Sequence, residues 1–289
     1  MDDWNKCQRF WHIRYIQGIQ GETTDAMQLG TDLHKAFQNR FNHGTLPPDP
    51  HPRHGKKFKK MHEAHWAAVE KHVFKGRDKK ALAPGVEVRF SLPTWLGGPP
   101  WNGVIDLPLP HDGTPLVVDH KSTSSPDWVK TPHELKKTPQ MASYAWWALH
   151  HAGPFAKHAE LYAENPHAGY VRADSDQVEV AHIYIFTKGS SEPQYVKVMM
   201  PLHEVRETWR ELLGTVREME RASFAVSELD LPPTTTSCSL RLFGPKGCPF
   251  RSRCGYAPLM EDPMSIPMPP GAPSAARTWI VVTLISGAM

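Results

Sequence analysis

Cysteine is scarce: four residues in a chain of 289 are too few to staple a domain of this length, so the fold must rest on a hydrophobic core. Long apolar runs are missing as well. The longest, Trp279 to Ile285, falls far short of the roughly 20 residues a membrane-spanning helix needs. The chain opens on the acidic Met1-Asp2-Asp3 with no apolar run after it, so no secretory leader is expected. A cytoplasmic protein, without a membrane partner, is the expectation. Charge of one sign is also lacking. Lys plus Arg number 33 against 30 acids, a balance of +3 that neither requires nor excludes a nucleic-acid partner. No repeat and no Gly-x-x-x-x-Gly-Lys-Ser/Thr loop occurs, so any unwinding of a duplex must come from a partner.

What is present is an ordinary globular composition, with 40% hydrophobic residues spread along the chain, which excludes wholesale disorder. Proline punctuates it at Gly44 to Pro50, at Leu231-Pro232-Pro233 and from Glu261 to Ala276, which read as loops or linkers. Apolar spacing predicts helices over Thr24–Phe41, Phe58–Phe74, Pro139–His151 and Glu204–Ala225. Alternation predicts strands over Val86–Leu92, Gly103–Leu109, Leu116–Lys121, Gln177–Phe186 and Gln194–Met200. The order describes a mixed α/β fold. It divides into a helical region over 20–80, a core over 84–225, a Cys-bearing segment over 236–256, and a Pro-rich tail over 261–289 of unknown role.

The chemistry concentrates in the core. Asp119-His120-Lys121 ends the apolar strand that begins at Leu116, and alternation projects Asp119 and Lys121 to one face. Asp106 ends the preceding apolar run. If the two strands pair through a turn at Asp112-Gly113, the two carboxylates converge and need a cation between them. A divalent ion with oxygen ligands, Mg²⁺ or Mn²⁺, and the Lys121 ammonium answer that need; a salt-bridged sheet edge is the alternative. His62-Glu63-Ala64-His65 is one residue short of a zinc-protease helix and reads as a surface helix.

Gly30-Thr31-Asp32-Leu33-His34, Gly103-Val104-Ile105-Asp106, Asp119-His120-Lys121 and Gln140-Met141-Ala142-Ser143-Tyr144 follow one another in this order. The set resembles the RecB-like branch of the PD-(D/E)XK nuclease superfamily, over about residues 4 to 256. The resemblance implies a restriction-endonuclease-like core: a mixed central sheet flanked by helices, with an N-terminal helical insertion and a Cys-stapled C-terminal segment in one domain over 1–260. It also implies a site in which His34, Asp106, Asp119 and the carbonyl of His120 hold the metal ion. Lys121 is implied as catalytic, Gln140 and Tyr144 as contacting Lys121 or the DNA backbone, and Glu87 as an aid to metal binding. The activity implied is hydrolysis of DNA by metal-activated water, leaving a 5′-phosphate. Such a protein would be a single-strand exonuclease in phage or bacterial recombination, repair or CRISPR adaptation, with a helicase or recombination partner. A structure-specific endonuclease with the same site, and a non-catalytic DNA-binding subunit, are the alternatives.

Cys7 near the start and Cys238, Cys248 and Cys254 near the end resemble the iron-staple members of that superfamily, which implies a four-iron, four-sulfur cluster. Nine residues separate Cys238 from Cys248 where the family pattern has two. Zn²⁺ suits four thiolates equally well. Basic residues cluster at Arg53, Lys56, Lys57, Lys59 and Lys60, a candidate surface for DNA phosphates, with a solvated basic face as the alternative. Several Trp are candidates for base stacking. Oligomeric state is not legible.

Overall fold

The computed structural model describes residues 4–75, 86–150 and 175–225, apart from 6, 22, 93, 96, 97, 99, 112, 113, 190 and 191, together with 227, 231, 248 and 250. Two compact units emerge, one of residues 24–216 and one of residues 1–23 with 217–286.

In the larger unit, helix α1 spans Asp25–His43. Thr24 caps it by accepting the Met27 N–H, and Gly44, at φ 69°, ends it in the left-handed conformation. Helix α2 spans Lys56–Val69 and runs on as a π-helical turn over Glu70–Phe74. Strands β1 (Val88–Leu92) and β2 (Trp101–Ile105) form an antiparallel pair. Strands β3 (Leu107–His111), β4 (Thr114–Thr123), β5 (Gln177–Phe186) and β6 (Gln194–Pro201) form a sheet in the order β3-β4-β5-β6. Its β4–β5 pair is parallel and its outer pairs are antiparallel, so it is the mixed sheet expected. Pro108 and Pro110 on the edge strand β3 offer no N–H to a further strand. Helices α3 (Pro132–Lys136) and α4 (Pro139–His150) lie between β4 and β5, and α5 (Leu202–Ser223) follows β6.

Alternation along β4 and β5 builds two layers. Leu116, Val118, Ala181 and Ile183 pack with Phe37 of α1, Trp66 and Val69 of α2 and Phe74 of the π-helical turn in one core cluster. Val117, Asp119 and Lys121 belong to the other face, where α4 lies and Gln140 reaches Asp119. His62 and His65 of α2 are both fully buried, correcting the surface-helix expectation. Both rings are neutral, burial driving His62 down to about 4 and His65 well below its ordinary value.

One expected strand is two. The run from Gly103 to Leu109 breaks at Asp106, where the chain leaves β1 and joins β4. The main chain of Asp106 accepts the Glu87 N–H at 2.9 Å, while its side chain accepts the His120 N–H at 2.7 Å. The carboxylate thus takes a β4 donor that a continuing ladder would have satisfied.

In the smaller unit, Gln8–Trp11 form one helical turn followed by a π-turn over His12–Ile16. Arg9 Nε donates to the Leu231 carbonyl at 2.8 Å, and Trp4 meets Trp11 edge to face at 5.1 Å. No described helix is long and apolar enough to cross a membrane.

Candidate active site

Three ligand-bearing side chains converge beside β4: His34, Glu87 and Asp106, whose ligand atoms all lie within 4.8 Å of one another. His34 comes from the middle of α1. That helix approaches β4 closely because Gly30, one turn earlier, has no side chain, and a Cβ there would stand 3.2 Å from Ser122 Oγ. Glu87 precedes β1 rather than lying within it. Its backbone is left-handed, φ 55°, at a cost of roughly 1–2 kcal/mol for a residue with a Cβ, and its carboxylate reaches His34 Nδ1 at 3.4 Å. Asp106 Oδ2 stands 3.6 Å from the same nitrogen. His34 Nε2 donates to the carbonyl of His120 at 3.0 Å.

Burial alone would strip the proton from His34, but Asp106, Glu87 and Asp119 outweigh it and raise the imidazole to about 9. Burial, with the Asp119 charge, lifts Asp106 to about 7 against the pull of His34 and Lys121. The His34 cation faces the Glu87 and Asp106 carboxylates. The donor set fits a hard divalent ion: two carboxylates, one imidazole and one carbonyl.

Asp119 is not one of that trio and has partners of its own. Gln140 Nε2 donates to its Oδ1 at 2.7 Å, and Lys121 Nζ pairs with its Oδ2 at 2.8 Å. Burial would raise the Asp119 carboxyl, but Lys121 and His182 hold it below the usual carboxylate range. Gln140 and Tyr144 act as one unit, with 2.8 Å between Gln140 Nε2 and the Tyr144 hydroxyl. That hydroxyl donates to the Val104 carbonyl at 2.6 Å, tying α4 to β2 just ahead of Asp106. Gln140 thus contacts Asp119, where the resemblance implied Lys121 or DNA.

The His120 side chain turns to the other layer, against Phe37 and with Nδ1 2.9 Å from His65 Nε2. Only its main chain faces the site. Sequence reasoning missed His182, which is buried on β5 directly across from Asp119 in the ladder. A lone His in an apolar strand carries no spacing signal.

The basic residues divide. Arg53 pairs with Asp32 at 3.3 Å and Lys59 with Asp49 at 3.1 Å, whereas Lys56, Lys57 and Lys60 are exposed on the first turns of α2. Among the expected stacking residues, Trp147 is buried in the core and Trp146 lies 5.3 Å from Trp209 in a parallel stack. Cys7 and Phe250 are buried in one apolar cluster with Phe10 and Ile13, and Cys248 packs against it. Cys238 and Cys254 lie outside the described residues.

A family model described as the PD-(D/E)XK nuclease superfamily matches residues 2–255. Among solved structures, a candidate exonuclease from Eubacterium rectale is 16% identical, covers 74% of each chain and superposes with a TM-score of 0.42. The protein SSO0001 is 12% identical over 86% of this chain and 92% of its own, with a TM-score of 0.33. No curated protein matches.

Proposed function

The chain belongs to the PD-(D/E)XK nuclease superfamily, and from that premise we propose that it is a Mg²⁺- or Mn²⁺-dependent deoxyribonuclease, a single-strand exonuclease of recombination or repair. The observation that carries this reading is the convergence of His34, Glu87 and Asp106 beside the Asp119–Lys121 ion pair.

In this reading His34, Glu87, Asp106, Asp119 and the His120 carbonyl hold the ion. When bound, the ion polarises a phosphoryl oxygen and acidifies a water. The residues of the chain do the rest. Asp119, ionised despite its burial, contributes charge that Gln140 keeps in one orientation. Lys121, on the same strand face, offers its ammonium to the negative charge that grows on the scissile phosphate. Tyr144 holds α4 against β2, so that Gln140 and Asp106 keep their spacing. Phosphates along the strand are met by Lys56, Lys57 and Lys60.

Cys7, Cys238, Cys248 and Cys254 hold a four-iron, four-sulfur cluster. Support comes from Cys7 and Cys248, which share one apolar cluster although they lie near opposite ends of the chain.

The test is cleavage of end-labelled linear single-stranded DNA against covalently closed circles, with Mn²⁺ or with EDTA, using protein purified anaerobically. Loss of linear DNA alone, dependent on Mn²⁺, is expected. Cutting of circles would make the protein an endonuclease. No cutting by metallated protein would make it a binding subunit.

A further inference from the structure

His182 has no part in the sequence motifs, yet it is buried at the centre of β5 with 2% exposure. It pairs in register with Asp119 across the parallel ladder. Side chains of paired residues in neighbouring strands rise on the same face. The imidazole therefore stands beside the Asp119 carboxylate, with Nε2 3.6 Å from Oδ2.

The state of the ring follows from its other side. Nδ1 lies 2.9 Å from the Tyr184 hydroxyl, and that hydroxyl already accepts the Lys130 N–H at 3.2 Å. The hydroxyl hydrogen finds no other acceptor among the described residues, so it is donated to Nδ1. An imidazole that accepts at Nδ1 carries its hydrogen on Nε2, and Nε2 is the atom that faces Asp119. Nε2 makes no hydrogen bond among the described residues; at 3.6 Å it faces the carboxylate without yet bonding it.

We infer that His182 is a positioning residue: a neutral N–H donor, set in its tautomer by Tyr184 and poised beside Asp119 to take hold of its carboxylate. This role rests on the reading of Asp119 as a metal ligand. Gln140 holds one oxygen of that carboxylate and Lys121 the other. When Lys121 turns toward a phosphate, the second oxygen gives up this ion pair. His182 is the donor next in line, fixed on a core strand that cannot follow the lysine away. A neutral donor suits the place, because a second fixed cation would compete with the metal ion for the same charge.

The test uses the full chain with Mn²⁺ alone as the first probe. ¹⁵N spectra of histidine-labelled wild-type protein should show His182 protonated at Nε2 and accepting at Nδ1. His182→Phe should weaken Mn²⁺ binding, read by paramagnetic titration, by about 10- to 100-fold, the range for removing the partners of metal ligands. His182→Gln, which restores an N–H donor near the Nε2 position, should recover most of that loss. Tyr184→Phe, which removes the hydrogen that sets the tautomer, should give an intermediate loss. Should His182→Phe fail to fold, the wild-type spectrum and Tyr184→Phe carry the test. An Nδ1-protonated ring would overturn the inference, as would wild-type Mn²⁺ affinity in His182→Phe or Tyr184→Phe. Cleavage is assayed separately. Wild-type protein that binds Mn²⁺ without cutting DNA, while His182→Phe binds it weakly, would remove the nuclease reading and leave His182 in its role.

Discussion

His34 Nδ1 and Asp106 Oδ2 stand 3.6 Å apart, and each sits in the electric field of the other. His34 is raised from 6.5 to about 9 and Asp106 from 3.8 to about 7. Both lie above their unfolded values, so the metal-free fold gains proton-linked stability from His34 fully below pH 6.5 and loses it as pH climbs through about 9. Asp106 acts in the same sense at lower pH. A divalent ion must displace these protons. EDTA-treated protein should therefore melt at a lower temperature at about pH 9 than at about pH 6.5, while Mn²⁺ affinity rises over the same interval. Calorimetric titration in two buffers of different ionisation enthalpy should show protons released on binding. An affinity independent of pH across this range would refute the proton–metal exchange.

Asp106 does two jobs that two substitutions separate. Its carboxylate faces His34 and also accepts the buried His120 N–H. Asp106→Asn keeps an acceptor for that N–H and loses the charge, so it should melt close to wild type and bind Mn²⁺ poorly. Asp106→Ala strands the N–H as well, at a further cost of about 1–3 kcal/mol. Thermal melts of the two metal-free variants check this. Equal stability would mean that the Asp106 side chain contributes nothing to holding β3 on β4.

These two roles mark the boundary of what was legible. Periodicity located the four longest described helices to within a few residues, because each has one apolar face, and the motif order brought His34, Asp106, Asp119 and Lys121 into one region. The break at Asp106 was not legible, since Gly103 to Leu109 keeps the look of a single strand and only the hydrogen bonds of His120 and Glu87 divide it. Glu87 was placed on a strand, but its left-handed backbone is a tertiary outcome. His65 looks like a surface residue because its burial depends on Phe37 and His120, which approach from other elements. Gln140 on Asp119 follows the same rule: spacing shows that Gln140 and Tyr144 share a helix face, and packing decides what that face meets.

Gly30 is expected to tolerate one carbon and no more. The hydroxyl that a new Cβ would meet belongs to Ser122, a single rotatable group at 3.2 Å, and alanine is favoured over glycine within a helix by about 1 kcal/mol. Gly30→Ala should keep its melting temperature within a few degrees and retain cleavage. Gly30→Val adds a branch that a turning hydroxyl cannot clear, so α1 must move and carry His34 with it. A loss of at least tenfold in Mn²⁺-dependent cleavage is expected for Gly30→Val, measured at saturating metal. Unchanged cleavage by Gly30→Val would show that the approach of α1 to β4 does not set the position of His34.

Cys7 tests the smaller unit. A cysteine that merely fills space among Phe10, Ile13 and Phe250 would cost about 1 kcal/mol on truncation, the centre of the distribution for point substitutions. A cluster ligand costs the metal as well. Cys7→Ala should abolish absorbance near about 400 nm and bound iron together, and should lower the melting temperature well beyond a space-filling loss. Wild-type protein with stoichiometric zinc and no iron would replace the cluster with zinc. Wild-type protein without either metal would remove the site.

The exposed lysines on the first turns of α2 stand where the helix dipole disfavours cations. Lys56 and Lys57 occupy a first turn without an acidic residue, an arrangement that costs about 0.3–1 kcal/mol per charge and that a bound phosphate would offset. Arg53 and Lys59 are already paired with Asp32 and Asp49, so less of their charge is available to a nucleic acid. Replacing Lys56, Lys57 and Lys60 with alanine should weaken binding of single-stranded DNA without regard to sequence. The logarithmic salt dependence should flatten by about 0.7 for each phosphate that the protein no longer neutralises. Arg53→Ala should change that slope less than any one of the three. The measurement is fluorescence anisotropy with a labelled oligonucleotide over a series of salt concentrations, in EDTA so that nothing is cut. A triple variant with the wild-type slope would place the DNA track elsewhere on the protein, and a larger effect from Arg53→Ala would mean that the Asp32 pair opens to release it.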